Sequence, residues 1–322
     1  MDSIPLIDLT PWWNGDTPDR DLVASQVDAA LQDHGFLLVT GHGIPLELRR
    51  KLRTAARQYF TLPHEVKEQY AVTMGGRGWL RSGLVTAGRS EGTMTPPDLK
   101  ETFAFGAAEE DGGVNPSPQW FKPNVYPQEV PELEALVTEF LSCTRQLADE
   151  LLRVCASALG VEDGFFAEAM NNPFYTMNLN WYPSLATLRE PVREGQFRIG
   201  PHTDFGTITI LDREPGMGGL QVYGRDGHWR EPACREDALV INIGDLLAYW
   251  SGGRWRSSRH RVIPPAAASP NEDQLSLIFF LVAAPAAQIT PVSPSLEGYS
   301  EPVVAEDFLM ERIRRVSQTP AG

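Results

Sequence analysis

The stretch Pro201-His202-Thr203-Asp204-Phe205-Gly206 places a histidine and an aspartate two positions apart at the junction of two β-rich runs. On an extended chain, residues i and i+2 face the same side, so the side chains of His202 and Asp204 are predicted to project together. Fifty-five residues further on, the segment Arg259-His260-Arg261-Val262 offers another histidine in a later β-rich run. The chain therefore carries three candidate ligands for one metal ion.

Two histidines and one carboxylate on a single face of a metal, with the remaining positions open, are typical of non-haem Fe(II) oxygenases. The three residues alone do not establish such a site, because His-x-Asp with a later histidine also arises by chance. Asp204 could instead cap a turn, and His260 could be a structural histidine inside a barrel. The surrounding sequence has to decide between these interpretations.

Short β-rich runs follow one another from residue 173 onwards, which is typical of a sandwich or a barrel. Helical patterns dominate the first half, and this order, without strict alternation, argues against a doubly wound dinucleotide-binding fold. The glycine-rich segment 216–219 lies between two predicted strands and not before a helix, so it is predicted to form a hairpin and not a phosphate loop. The predicted strands are 175–182, 196–202, 206–212, 219–223, 238–243, 259–263 and 274–282.

Apolar residues recur at helical spacing in three earlier segments. The longest predicted helix runs from about Pro131, which suits a first helical turn, to Leu159, and Gly160 is its predicted stop. The segment 71–128 is rich in Gly, Pro and Thr and is predicted to be mostly irregular. The other predicted elements are helices at 21–32 and 46–60 and strands at 4–9, 36–39 and 101–106.

The composition limits the classes of partner. The chain has 322 residues with 28 Lys and Arg against 42 Asp and Glu, so its formal net charge is 28 − 42 = −14. Such a charge disfavours nucleic acid and anionic membranes as partners, because their phosphates would be repelled. Three cysteines are too few and too irregularly spaced for a disulfide framework. No apolar run is long enough for a membrane span, and the first nine residues do not resemble a signal peptide. These features predict a cytoplasmic globular protein and carry no signal for an oligomeric state.

Further motifs accompany the three candidate ligands along most of the chain. They are IPLIDL (4–9), HGFLLVTGHGIP (34–45), YFTLP (59–63), DLKE (98–101), NWYP (180–183), PHTDFG (201–206), GLQV (219–222), VINIGD (240–245) and RWRSSRHRV (254–262). In this order and spacing, the chain resembles the isopenicillin N synthase-like branch of the Fe(II)/2-oxoglutarate-dependent oxygenases. The resemblance implies a mainly β fold with helices, in which a double-stranded β-helix (jelly-roll) core is flanked by N-terminal helices and a long central helix. It also implies an N-terminal oxygenase module at residues 1–128, and the long helix with the oxygenase core at residues 129–322.

The resemblance assigns roles to several residues. It makes His202, Asp204 and His260 ligands of Fe(II), with 2-oxoglutarate and O2 as cosubstrates. The implied reaction is oxidation of a small molecule by hydroxylation, desaturation or ring formation, with release of succinate and CO2. The residues that the resemblance places around 2-oxoglutarate are Asn180, Tyr182, Gln274 and Ser276.

One position departs from the family pattern. An Arg-x-Ser pair holds the far carboxylate of 2-oxoglutarate in the family, and this segment reads Gln274-Leu275-Ser276. Breaking a buried ion pair costs on the order of 3–5 kcal/mol, so either another cation reaches the site, or the cosubstrate binds weakly, or it is not used. Arg198 and Arg256 are candidate cations, although Arg198 could equally be a rim residue in a surface ion pair. Two other hypotheses therefore stay open: an Fe(II)/O2 oxidase that does not use 2-oxoglutarate, and a non-catalytic ligand-binding barrel.

Candidate substrate contacts rest on strand alternation and on the resemblance. Phe280, Asn178 and Arg198 are predicted to face the barrel interior, because each alternates in step with other inward-facing residues. Arg81 and Phe103 are expected near the barrel mouth, by resemblance. For both there is a simpler alternative, since Phe103 could be a core aromatic of the predicted strand and Arg81 a solvated loop residue.

Overall fold

The computed structural model describes residues 3–92, 95–107, 119–188, 191–216, 218–266, 269–292 and 294–317. Its N-terminal part is built of short strands and helices in alternation. The helix predicted at 21–32 begins earlier, because Asp16 caps its N-terminus and Pro18 suits its first turn. The helix at 46–60 and the strand at 101–106 have the predicted bounds. The elements are β1 (Leu6–Asp8), α1 (Thr10–Asn14), α2 (Thr17–Asp33), β2 (Phe36–Thr40), α3 (Leu46–Phe60), α4 (His64–Lys67), β3 (Gly78–Leu80) and β4 (Glu101–Gly106).

The second half begins with a 28-residue helix, which ends at Gly160 in the left-handed conformation typical of a helix C-terminus. Eight strands follow it up to residue 282, and those at 219–223 and 274–282 have the predicted bounds. The elements are α5 (Glu132–Leu159), β5 (Phe174–Tyr182), β6 (Ile199–His202), β7 (Ile208–Arg213), β8 (Gly219–Tyr223), β9 (Trp229–Arg230), β10 (Leu239–Ile243), α6 (Asp245–Trp250), β11 (His260–Ile263), β12 (Gln274–Val282), β13 (Gln288–Ile289), β14 (Val303–Val304) and α7 (Ala305–Ser317).

Two sheets form the jelly-roll core that the resemblance predicted. The larger sheet has the strand order β1-β2-β10-β7-β12-β5-β4-β3, and the smaller sheet has the order β6-β11-β8-β9. The chain alternates between them, since β6, β8 and β11 belong to the smaller sheet whereas β7, β10 and β12 belong to the larger one. This crossing brings residues that are distant in sequence onto facing walls of one space.

Strand β12 separates the apolar core from that space. The side chains of Leu275, Leu277 and Phe279 are fully buried in the main apolar cluster, which also contains residues of α3 and α5. The alternate residues of the strand line a cavity between the sheets, as predicted from alternation. They are Gln274, Ser276, Ile278 and Phe280.

The prediction of a hairpin at the glycine-rich segment is wrong. Strand β7 pairs with β10 and β12, whereas β8 pairs with β11 and β9. The segment between β7 and β8 therefore crosses from the larger sheet to the smaller one. Local turn residues cannot distinguish a crossing from a hairpin, because the pairing partners are supplied by distant parts of the chain.

The N-terminal segment is joined to the core through the larger sheet. Strand β1 pairs with β2, β2 pairs with β10, and β3 and β4 extend the opposite edge beside β5. The division at residues 128 and 129 accordingly stays a prediction. Within the described ranges, no helix has the length and apolar character needed to cross a membrane.

Candidate metal centre and its cavity

Three side chains converge at the edge of the smaller sheet. Antiparallel pairing of β6 with β11 places His202 directly opposite His260, and their ring centroids are 4.2 Å apart. Asp204 follows two residues after His202, and its Oδ1 lies 3.8 Å from His202 Nε2 and 3.7 Å from His260 Nε2. These separations are too long for hydrogen bonds, and all three atoms lie within 4.8 Å of one another, so a single ion can contact them together.

Hydrogen bonds orient each of these groups. Nδ1 of His202 lies 2.8 Å from the carbonyl oxygen of Gly200, and Nδ1 of His260 lies 3.1 Å from that of Ser258. A carbonyl can only accept, so the proton of each neutral ring is on Nδ1 and the lone pair on Nε2 faces Asp204. Burial and the nearby His260 lower the pKa of His202 to about 3, which keeps that ring neutral at pH 7, as metal ligation requires.

The carboxylate of Asp204 is held through its other oxygen. Oδ2 accepts hydrogen bonds from the Thr209 hydroxyl at 2.6 Å and from the Asn242 amide at 2.7 Å. Oδ1 is thereby turned towards the two imidazoles. Two imidazole nitrogens and one carboxylate oxygen, oriented by outer hydrogen bonds, are a donor set that suits Fe(II) and leaves coordination positions open.

A cavity extends from this cluster between the two sheets. Registers on β5 and β12 place Asn180 opposite Ser276 and Tyr182 opposite Gln274. The side chain of Tyr182 lines the cavity together with those of Asn180 and Ser276, and burial raises the pKa of Tyr182 to about 12. The structure therefore brings nine of the sequence-predicted site residues to one cavity: His202, Asp204, His260, Asn178, Asn180, Tyr182, Gln274, Ser276 and Phe280.

The structure places three predicted residues elsewhere. Arg81 is exposed and forms a 3.3 Å ion pair with Glu68. Phe103 is fully buried and packs edge-on against Tyr59 at 4.7 Å, so it is a core aromatic of β4. Neither residue is among those that line the cavity: Phe103 lies on the core side of β4, which is its alternative interpretation, and Arg81 follows β3 on the surface. That Arg81 contacts the substrate stays a prediction.

The third residue that lies away from its predicted position is Arg198. It is neither at the rim nor among the residues that line the cavity. Its side chain is fully buried behind Gln274, whose Oε1 accepts a hydrogen bond from Nη1. The same guanidinium forms a 3.3 Å ion pair with Glu272 and lies 5.5 Å from the Tyr182 ring. Arg256, the other candidate cation, donates to the carbonyl of Asp33 at the C-terminal end of α2 and does not line this cavity.

Sequence reasoning missed five polar residues of the site. Arg213, Glu214 and Lys100 line the cavity, and Thr209 and Asn242 line it where they hold Asp204. Arg213 alternates in step with Thr209 and Leu211 along β7, but the predicted strand ended at residue 212, so the direction of its side chain was not predicted. Asn242 was visible as a polar residue inside the apolar run VINI.

A jelly roll whose internal cavity ends at two imidazoles and a carboxylate is the architecture of a mononuclear non-haem iron oxygenase. Comparison with known families agrees with this class. Residues 4–129 match the family model described as the N-terminal region of non-haem dioxygenases in morphine synthesis. Residues 173–283 match the model of the 2OG-Fe(II) oxygenase superfamily.

Curated relatives and solved structures point the same way. The chain is 39% identical over 300 residues to validamycin A dioxygenase of Streptomyces hygroscopicus subsp. limoneus, covering 92% of this chain and 81% of the relative. It is 35% identical over 267 residues to the 2-oxoglutarate-dependent dioxygenase thnC of Trichoderma harzianum, covering 81% and 80%. A 2OG-Fe(II) oxygenase family protein from Caulobacter crescentus superposes with a TM-score of 0.83 at 27% identity, covering 98% of this chain and all of that one. A Neurospora crassa protein solved in complex with alpha-KG and thymine superposes with a TM-score of 0.81 at 26% identity, covering 97% and 96%.

The chain belongs to the 2OG-Fe(II) oxygenase superfamily, and it is a 2-oxoglutarate-dependent dioxygenase. Its cofactors are accordingly Fe(II) and 2-oxoglutarate, with O2 as the cosubstrate.

Proposed function

We propose that His202, Asp204 and His260 hold the iron, and that the adjoining cavity holds 2-oxoglutarate and a small organic substrate. The observation that carries this proposal is the convergence of the two Nε2 atoms and the Asp204 Oδ1 atom within 4.8 Å at one end of the cavity. With 2-oxoglutarate bound, Fe(II) supplies the activation of O2, and the products are succinate, CO2 and the oxidised substrate.

The residues of the cavity would bind and orient the two organic molecules. Tyr182, Asn180 and Ser276, with Gln274 beside them, would contact 2-oxoglutarate. Asn178 and Phe280 also line the cavity and would contact the substrate. The walls formed by Phe36 and Leu220 are apolar and would exclude water from the reacting centre.

The substrate is proposed to be a small secondary metabolite, which the enzyme hydroxylates, desaturates or cyclises. Support comes from the name of the relative that is 39% identical, a dioxygenase of validamycin A. The three cysteines of the chain are free, which is consistent with a reducing cytoplasm as its location, where Fe(II) persists.

The test is to add Fe(II) to the protein without oxygen, titrate 2-oxoglutarate and record the visible charge-transfer absorption of the chelate. The wild type should show a saturable band, and on admitting O2 it should release succinate. His202→Ala should lose Fe(II) binding and both signals, because one of three protein ligands is removed.

His228→Ala is the matched control, since its side chain is 79% exposed and lies apart from the cavity. It should behave as the wild type. Turnover with O2 but without the band would favour the oxidase that does not use 2-oxoglutarate. Neither band nor turnover in a folded, iron-loaded wild type would favour a ligand-binding barrel.

A further inference from the structure

2-Oxoglutarate carries two carboxylates, and only one of them would lie near enough to the metal to be neutralised by it. This inference rests on the proposed function, in which the 2-oxo acid end of the molecule faces the metal. The second carboxylate then lies inside the cavity, where an unpaired charge costs several kcal/mol. A cation with free hydrogen-bonding capacity must therefore line the cavity at some distance from the metal.

Gln274 does not supply this charge, and its side chain is already engaged. Its Oε1 accepts from Arg198, and its Nε2 donates to the carbonyl of Gly218 at 3.3 Å. Arg198 is neutralised by Glu272, and another arginine at position 274 would face it at hydrogen-bonding distance. Like charges buried at that distance repel strongly, which is a physical reason for a neutral residue at position 274.

Arg213 lies on the neighbouring strand, directly opposite Ser276 in the pairing of β7 with β12. Paired residues share a face, so Arg213 points into the cavity that Ser276 lines. It stands four residues from Thr209, which holds Asp204, and this is about 13 Å along the strand at ~3.3 Å per residue. A five-carbon diacid and an extended arginine side chain can span that distance together.

The guanidinium of Arg213 retains capacity for a ligand. Nη2 donates to the carbonyl of Pro232, whereas Nε is buried without a hydrogen-bond partner among the described residues. No carboxylate of the described chain forms an ion pair with it: the neighbouring Asp212 faces outward and is paired with Arg49. Nη1 lies 3.4 Å from the position that a Cβ on Gly219 would occupy, and Glu231 Oε1 lies 3.7 Å from the same position. The absence of a side chain at Gly219 therefore leaves room beside Nη1, with the Glu231 carboxylate close by.

The other charged groups of the cavity are less suited. Glu214 is bound by Arg57 through two hydrogen bonds of 3.0 and 2.9 Å, so it does not neutralise Arg213. Lys100 is half-buried and has two carboxylates, Asp98 and Asp204, as its electrostatic neighbours. Its charge is thus balanced at the metal end. Arg213, at the far end, forms no ion pair with a carboxylate of the described residues, and Glu231 is the acidic side chain near it.

We infer that Arg213, with Ser276 opposite it, binds the far carboxylate of 2-oxoglutarate and replaces the cation that Gln274 does not provide.

The test compares two 2-oxo acids of equal length, 2-oxoglutarate and 2-oxopentanoate, of which only the first has the far carboxylate. Each is titrated into the Fe(II)-loaded protein without oxygen, and the chelate absorption gives a Kd. Arg213→Gln should raise the Kd of 2-oxoglutarate at least about 30-fold, as expected for breaking a buried hydrogen-bonded charge pair. It should leave the Kd of 2-oxopentanoate unchanged, and Arg213→Lys should fall between, since it keeps the charge but not the planar fork.

Arg261→Gln is the matched control, because this arginine lies on β11 with its guanidinium 4.1 Å from the Trp229 ring and does not line the cavity. It should change neither Kd. The inference would be overturned if Arg213→Gln weakened the binding of both acids equally, or of neither. It would also be overturned if Lys100→Met, and not Arg213→Gln, selectively weakened the binding of 2-oxoglutarate. If Arg213→Gln does not fold, the selectivity of Arg213→Lys decides. A wild type that chelates neither acid would instead contradict the proposed function.

Discussion

Thr209 donates its hydroxyl to Asp204 Oδ2 over 2.6 Å, and this contact turns the opposite oxygen of the carboxylate towards the two imidazoles. Thr209 is the first cavity-facing residue of β7 beyond the metal cluster, and Arg213 is the third. One strand therefore carries both the group that orients a metal ligand and the group assigned to the cosubstrate. The spacing between the two functions is set by the rise of an extended chain.

Thr209→Val should lower the affinity for Fe(II) by about 10–100-fold, because second-layer partners of metal ligands have effects of that size. Thr207→Val is a close control: Thr207, like Thr209, is buried, and it donates its hydroxyl to a backbone carbonyl, that of Leu281, at 2.8 Å. Both variants lose one buried hydrogen bond. Competition titration with a chelator should show weaker metal binding for Thr209→Val alone, and equal affinities would refute the orienting role.

Asp212 holds the outer side of β7 against α3. Its carboxylate contacts Arg49 at 3.0 Å and also pairs with Arg53, and the Arg49 side chain is only 2% exposed. Asp212→Asn should lower the free energy of unfolding by about 3–5 kcal/mol, because it leaves a buried guanidinium without a counter-charge. Glu47→Gln, which removes an exposed pair with Lys51, should change it by less than about 0.5 kcal/mol in urea unfolding. Comparable losses in the two variants would contradict this account.

His42 predicts a pH dependence of stability. Burial, together with the nearby Arg49, lowers the pKa of His42 to about 4, and its Nδ1 accepts a hydrogen bond from the amide of Ile44 at 3.1 Å. The unfolded chain takes up the proton near pH 6.5, so the folded state loses stability as the pH falls from about 6.5 to 4. The full effect amounts to about 3 kcal/mol.

His42→Asn removes the titrating group and retains an acceptor near Ile44. The difference in unfolding free energy between wild type and variant should therefore shrink between pH 7 and pH 4.5. A difference that stays constant across this range would show that His42 does not titrate in this way.

Gly35 joins α2 to β2 with φ of +64°, a conformation that favours glycine. A Cβ there would meet the carbonyl oxygen of Arg256 at 2.1 Å, in the segment that leads to His260. Gly43 has φ of +78° but nothing within 4 Å of such a Cβ. Gly43→Ala should cost about 1–2 kcal/mol for the backbone alone, and Gly35→Ala about 1–3 kcal/mol more for the steric conflict. Thermal or urea unfolding of the two variants measures this difference, and equal costs would argue against the close approach.

Local patterns sufficed for much of the fold. The helix at 46–60 and the strands at 101–106, 219–223 and 274–282 occur at the predicted residues. Apolar side chains at period 3.6 indicate a helix and those at period 2 a strand, whatever the rest of the chain does. The predicted end of a strand was wrong where pairing with another strand sets that end. Strand β7 continues to Arg213 because it stays paired with β12 up to Ser276, and no residue near position 213 signals that pairing.

The candidate site divides in the same way. The sequence by itself determined that His202 and Asp204 share one side of an extended segment, that β12 alternates between core and cavity, and that Gln274 lacks the charge expected there. Only the tertiary structure decided that His260 stands opposite His202, that Phe103 belongs to the core, and that Arg213 faces Ser276 while Arg198 is neutralised behind Gln274. The reason is physical: a side chain's direction follows from the period of its own strand, whereas its neighbours depend on which distant strands pair, and in what register.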